Sequence, residues 1–290
     1  MPPLFNKYEE ITYEKLKVLS DENGAHVFPK VRVADVLPIK ASGISNDLFK
    51  YALQAHFDFV ICDSNYIALF AVEFDGPIHS LSALQKMRDA KKNSICDFFG
   101  FSLLRINARY LDKKYRDLDL LTYFVDVWFL DVAFSSAQED GHIPWDEPFD
   151  PTFIWRNGRT SRSFPYWLSL DLQNEIKRLH DSGSILDPFA SHWIGIDSQG
   201  NYRCLAWLQV VNSGFLIAQT GMRQQQFPID ISDILSQLSV FDLYEGICSL
   251  QKGAKHLHKQ DQFEKLLLTF NKSFSMVSFG GYSKYRRTGQ

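Results

Sequence analysis

Cysteine is scarce, and the four present (Cys62, Cys96, Cys204, Cys248) lie far apart with no CxxC pair. That spacing excludes a disulfide framework and points to reduced, mostly buried thiols of a cytosolic protein. His256 and His258 have no further ligands at metal spacing, so no zinc site is expected. Long apolar runs are also missing: LTYFVDVWFLDVAF is interrupted by Asp126 and Asp131, and no stretch of about 20 apolar residues suggests a membrane span. MPPLFNKYEE lacks the basic-then-apolar pattern of a signal peptide, so a soluble, cytoplasmic chain without a membrane partner is expected. There is no excess of basic charge. A formal net charge of −3 argues against strong non-specific nucleic-acid binding, although a local basic patch or a bound cation can reverse the field. Walker, GxSxG and Rossmann motifs are absent.

What is there suits a globular protein of one large or two ordinary domains. The chain has 290 residues, 45% of them hydrophobic, enough for a sizeable core. ITYEKLKVL reads as a helix with Ile11, Leu16 and Leu19 on one side. HVFPKVRVADVL reads as a β-rich run in which Pro29 suggests a sheet edge. A short helix over 46–55 follows. FDFVICD and YIALFAVEFDG, joined at Ser64-Asn65, read as a hairpin. A helix over 84–99 ends at Gly100, and FSLLRIN closes the unit as a strand. A helix to about Ala137 and the proline-containing linker QEDGHIPWDEPFDP come next. Beyond them, a helix over 170–180, a hairpin turning at 197–201, a third strand GFLIAQT and helices over 231–250 and 263–270 make an α+β piece. The boundaries expected are 1–110, 111–150 and 151–290.

Two acids stand out among apolar neighbours. Asp58 starts one strand and Glu73 ends the next, so antiparallel pairing brings them side by side. A carboxylate beside Phe57, Phe59 or Val72 must be paired or hold a cation. Paired carboxylates suit Mg²⁺ or Mn²⁺, which prefer oxygen ligands and can activate a water against a phosphate. Asp75 shares a strand face with Glu73. Gln85, Asp89 and Lys92 form one stripe of the following helix, and Leu84, Met87, Ile95 and Phe98 the opposite, apolar one. Lys92 is placed to reach a phosphate or the attacking water. Taken singly, each acid is more commonly a turn-edge or salt-bridged residue; the joint pattern carries the argument. KGAKHLHKQ and the tail GGYSKYRRTGQ offer weaker phosphate-contact candidates, more commonly a solvated helix end and a frayed terminus.

HFDFVICDSNYIALFAVEFDGPIHSLSALQKMRDAKKNSICDFFGFSLLRIN resembles the bacterial domains related to very-short-patch-repair endonucleases, within the PD-(D/E)xK nuclease superfamily. The resemblance covers roughly residues 10–107 and rests on Asp58, Glu73, Asp75, Gly76, His79, Gln85, Asp89, Lys92 and Arg105. It implies an α/β, restriction-endonuclease-like core, a central mixed sheet flanked by helices, followed by a smaller α+β domain. It implies Asp58, Glu73 and the backbone carbonyl of Phe74 as metal ligands, Glu14 as an additional acid, with Glu9 and Glu10 as close competitors for that place, and His79 near the scissile phosphate. The usual lysine after Glu73 is replaced by Asp75, which makes Lys92 the candidate substitute. The function implied is a Mg²⁺- or Mn²⁺-dependent endonuclease acting on DNA, of the kind found in defence systems and mobile elements. The C-terminal half would then serve substrate selection, regulation, or contact with a protein partner or second copy. The alternative is a catalytically silent nuclease fold that binds nucleic acid or protein.

Overall fold

Asn6 starts the first helix because its side chain accepts the Tyr8 and Glu9 amides at 3.0 Å each, while its own amide donates to Glu9 Oε2 at 2.9 Å. This reciprocal capping box fixes both the start of α1 (Lys7–Glu22) and the orientation of Glu9. The computed structural model describes residues 5–75, 83–107, 109–156, 164–225, 227–253 and 256–281. The chain divides into two units, residues 1–149 with 225–229 and residues 150–224 with 230–290.

The first unit is mixed α/β. After α1 come β1 (His26–Arg32), α2 (Val33–Val36), α3 (Asn46–Ala52), β2 (His56–Cys62), β3 (Ala68–Asp75), α4 (Ala83–Phe99), β4 (Ser102–Asn107), α5 (Arg109–Asp112) and α6 (Leu120–Glu139). The strands lie in the order β1-β2-β3-β4. β1–β2 and β2–β3 are antiparallel, whereas β4 returns parallel to β3 after the crossover through α4. Pro29 lies on the edge strand, where its missing amide costs no ladder bond. The β-rich run ends at Arg32, sooner than its composition suggests: the Val33 amide donates to the Ala55 carbonyl at 2.9 Å and the chain turns into α2. The hairpin turn is longer than Ser64-Asn65. Asp63 Oδ1 accepts the Asn65 and Ile67 amides, and Tyr66 is left-handed at φ 63°. Gly100, at φ 62°, ends α4 as its C′ residue.

Beneath α4 the sheet presents Val60, Ala71 and Leu103 to Ile95 and Cys96 in one buried cluster. Phe59 meets Tyr13 of α1, and Phe70 packs on Trp128 of α6 and edge-on against Phe227. By length and composition α6 is the one helix among the described residues that could cross a membrane. In this fold Leu120 to Val127 are buried along its first two turns, and its apolar character serves the core.

The second unit holds a 3₁₀ turn (Pro151–Phe153), a two-stranded pair β5 (Trp155–Arg156) and β6 (Phe164–Pro165), α7 (Leu170–Asp181), β7 (Ser191–Ile196), β8 (Asn201–Val210), β9 (Gly214–Arg223), α8 (Ile231–Gln251), α9 (Gln260–Ser273) and β10 (Ser275–Gly280). Its main sheet, ordered β10-β7-β8-β9, is antiparallel throughout. One set of strand residues (Ile194, Cys204, Ala206, Leu216) packs with Ile231, Leu235 and Leu243 of α8. Their alternates (Trp193, Leu205, Trp207, Phe215) pack with Phe263, Leu267 and Phe270 of α9. β10 was not expected from the sequence, because its short run gains strand character only by pairing with distant β7.

Candidate active site

Register places four charged residues in one row across the first sheet. Pro29 pairs with Phe59 and Val31 with Phe57, setting Lys30 opposite Asp58. Phe59 pairs with Val72, setting Asp58 beside Glu73, and Glu73 pairs with Arg105 on β4. The next row, Phe28, Val60, Ala71 and Leu103, has no charge. Lys30 Nζ lies 2.7 Å from Asp58 Oδ1, Glu73 Oε1 accepts the Asp58 amide at 3.3 Å, and Arg105 Nη1 stands 4.0 Å from Glu73 Oε2. Asp58 Oδ2 accepts the Phe74 amide at 3.0 Å, tying the two strands together at the site.

Two helices complete the arrangement. From α4, the stripe expected over Gln85, Asp89 and Lys92 faces the row. Gln85 donates to Asp89 Oδ1 at 2.9 Å, Asp89 stands 3.5 Å from Arg105 Nη1, and Lys92 Nζ lies 2.6 Å from Glu73 Oε1. Lys92 also donates to the His56 carbonyl at 2.7 Å. Its neighbour Lys91 instead pairs with Asp47. Asn93, one residue further, accepts from Arg105 Nε and Nη2. From α1, Glu9 meets Lys30 at 2.6 Å, so one ammonium joins Glu9 and Asp58. Glu9, Lys30, Asp58, Glu73, Gln85, Asp89 and Lys92 line a cleft of about 520 Å³ with Tyr51, His56 and Arg88.

Burial sets the electrostatics. Desolvation raises the Glu73 carboxyl above its ordinary value, with Lys92 opposing and Asp58 adding to the shift. Burial alone would lower Lys30, but its hydrogen bonds to Asp58 and Glu9 outweigh that and raise it. Desolvation, reinforced by Glu73, pushes Tyr51 and Cys96 to about 12, so both stay neutral beside the acids. The cleft therefore sets carboxylate–ammonium pairs beside the neutral Tyr51 hydroxyl.

The structure brings Asp58, Glu73, Gln85 and Lys92 together, with Phe74 between the two acids through its backbone. Glu14 does not join them. It is exposed, and the acid of α1 that enters the cleft is Glu9. Five residues at 100° each put Glu14 about 140° around the helix from Glu9. Asp75 lies outside the row, two residues further along β3, paired through its backbone with Asn107. His79 lies outside the described residues, as do Lys255 and positions 282–290 of the tail. Of the apolar stripe expected on α4, Ile95 reaches the core but Leu84, Met87 and Phe98 are exposed, whereas Lys92 and Cys96 are buried beside Ile95. Sequence reading passed over Lys30, Asn93 and Gln225, whose side-chain oxygen accepts the Arg105 amide at 2.9 Å. Only Glu9 carried a local signal, the Asn-x-x-Glu pattern of a capping box. Among the described residues no group of three or more His, Cys, Asp or Glu side chains gathers at metal-binding spacing.

A family model described as "Protein of unknown function (DUF2726)" matches residues 1–120, a span that holds the whole charged row. No curated protein and no solved structure matches the chain.

Proposed function

We propose that the first unit is a metal-dependent nuclease of the PD-(D/E)xK, restriction-endonuclease-like kind, hydrolysing phosphodiester bonds in DNA. The observation that carries this reading is the Lys92–Glu73 pair at 2.6 Å, placed by α4 directly beside Asp58. A lysine delivered from the helix restores the ammonium that the strand lacks, because Asp75 stands where the superfamily motif has Lys.

The donor set fits a hard divalent cation. Asp58 and Glu73 offer carboxylate oxygens on adjacent strands, and the Phe74 carbonyl follows on the chain; these would hold Mg²⁺ or Mn²⁺. When bound, the metal neutralises phosphate charge and lowers the pKa of a water. Lys92, locked between the His56 carbonyl and Glu73, holds a positive charge at a fixed point and orients the attacking water. Arg105, held by Asn93 and Asp89, adds to Lys92 in opposing the desolvation of Glu73. Gln85 holds Asp89 in place through its amide. In the reaction the water oxygen bonds to phosphorus, the opposite ester bond breaks, and the departing oxygen takes a proton.

Cleavage of supercoiled, linear duplex and single-stranded DNA with Mg²⁺, Mn²⁺ or EDTA tests the proposal. Metal-dependent cutting is expected, lost to background in Glu73→Ala and reduced about 10²- to 10³-fold in Lys92→Ala. Absence of cutting on every substrate, with metal still bound, would favour the second reading, a silent binding module. That reading draws on one observation: lysines already partner both Asp58 and Glu73.

A further inference from the structure

Lys30 is a charged residue of the cleft that the proposed chemistry does not use. It is left-handed, at φ 52°, in the middle of β1. No extra residue forces this, because the register is unbroken on either side, with Pro29 opposite Phe59 and Val31 opposite Phe57. A non-glycine residue in that conformation is strained, and such strain persists where surrounding contacts over-determine it. The contacts here are two carboxylates, Glu9 at 2.6 Å and Asp58 at 2.7 Å, with the ammonium between them. Glu9 is itself held by the Asn6 capping box, and Asp58 by the Phe74 amide, so both acids are fixed before the lysine arrives.

The two lysines of the site differ in freedom. Lys92 keeps 9% of its side chain exposed and is pinned by a backbone carbonyl as well as by Glu73. Lys30 keeps 44% exposed and has only the two carboxylates as hydrogen-bond partners among its described contacts. It also stands between two clefts. The second is a cleft of about 790 Å³, lined by Phe28, Arg32, His56 and Tyr66 as well as Lys30 itself.

We propose that Lys30 is a built-in counter-ion that ties Asp58, one of the proposed metal ligands, to Glu9, and that divalent-cation loading at Asp58 and Glu73 expels it by cation exchange. Lys30 is thus a positioning residue: it holds the two acids together without metal and leaves when metal enters. Exchange of a monovalent ammonium for a divalent ion makes the local charge at Asp58 one unit more positive. The inference rests on the metal site of the proposed nuclease, but it concerns loading and not cleavage.

Mn²⁺ alone, titrated into the full chain and followed by paramagnetic resonance of the free ion, tests it. Lys30→Met removes the competitor and is expected to tighten Mn²⁺ binding about tenfold, whereas Lys30→Arg, which keeps the charge, stays within about twofold of wild type. Mn²⁺ should also raise the unfolding midpoint more in Lys30→Met than in wild type, since without metal that variant leaves two facing carboxylates unpaired. Should Lys30→Met fail to fold, Lys30→Gln takes its place. Unchanged or weaker Mn²⁺ binding in the neutral variants, or no Mn²⁺ binding by any form, overturns the inference. Tighter binding with no cleavage by any form would support it while removing the nuclease reading; cleavage with unchanged affinity would do the reverse.

Discussion

The two four-stranded sheets use their central rows differently. In the second unit, alternating residues of β7, β8 and β9 are apolar in both directions, feeding one cluster under α8 and another under α9. In the first unit one cross-strand row is given to Lys30, Asp58, Glu73 and Arg105, with an uncharged row beside it. Burying that row costs desolvation that only mutual pairing offsets, and apolar residues of similar volume would do as well or better for stability. A sheet built for stability alone would resemble the second. The charged row is therefore the feature of the first unit that stability does not explain, and α4 turns its polar stripe toward it while leaving Leu84, Met87 and Phe98 exposed.

Substitutions can break this comparison. The largest effect on stability is expected at Lys92. Lys92→Met leaves Glu73 buried against an apolar partner and should cost the first unit about 3–5 kcal/mol in denaturant unfolding. Glu73→Met with Lys92→Met should recover most of that loss, since an apolar pair carries no desolvation cost. Additive destabilisation in the double variant would mean that the row is a stability device after all. In the second unit Phe263, stacked on Phe215 at 4.1 Å and fully buried, has no such rescue. Phe263→Ala is expected to cost about 3–5 kcal/mol through the cavity it leaves.

Acid should also affect the second unit through His192, which burial lowers to about 4 from 6.5. Between those values the unfolded chain binds the proton and the folded chain does not, so stability falls as pH drops from 6.5 toward 4. The loss should reach up to about 3 kcal/mol and disappear from this pH window in His192→Gln. If the acid limb is unchanged in that variant, His192 is not its source. The smallest effect is expected at the exposed Arg32–Asp35 pair, where Asp35→Ala should leave the unfolding midpoint unmoved.

Much of the first unit was legible because its signals are local. Short apolar runs marked β2, β3 and β4, and Gly100 marked the end of α4. Spacing alone set Asp58 beside Glu73 and put Gln85, Asp89 and Lys92 on one stripe. Other parts were illegible for equally physical reasons. A left-handed lysine inside an edge strand leaves no pattern, so Lys30 read as an ordinary strand residue. Glu9, Glu10 and Glu14 are alike as letters, and only the direction in which α1 crosses the sheet selects Glu9. The strand β10 depends on pairing with β7, which no window along the chain contains.

The amino-acid sequence by itself determined the helices and strands that carry the site and set Asp58, Glu73 and Lys92 within reach of one another, because helix and strand periods act over a few residues. Tertiary structure alone decided that Lys30 joins Glu9 to Asp58, that Arg105 closes the row behind Glu73, and that Gln225 returns from far along the chain to the Arg105 amide. Those contacts join residues distant in sequence, and their partners are chosen by packing and the desolvation of charge, which local propensity does not encode.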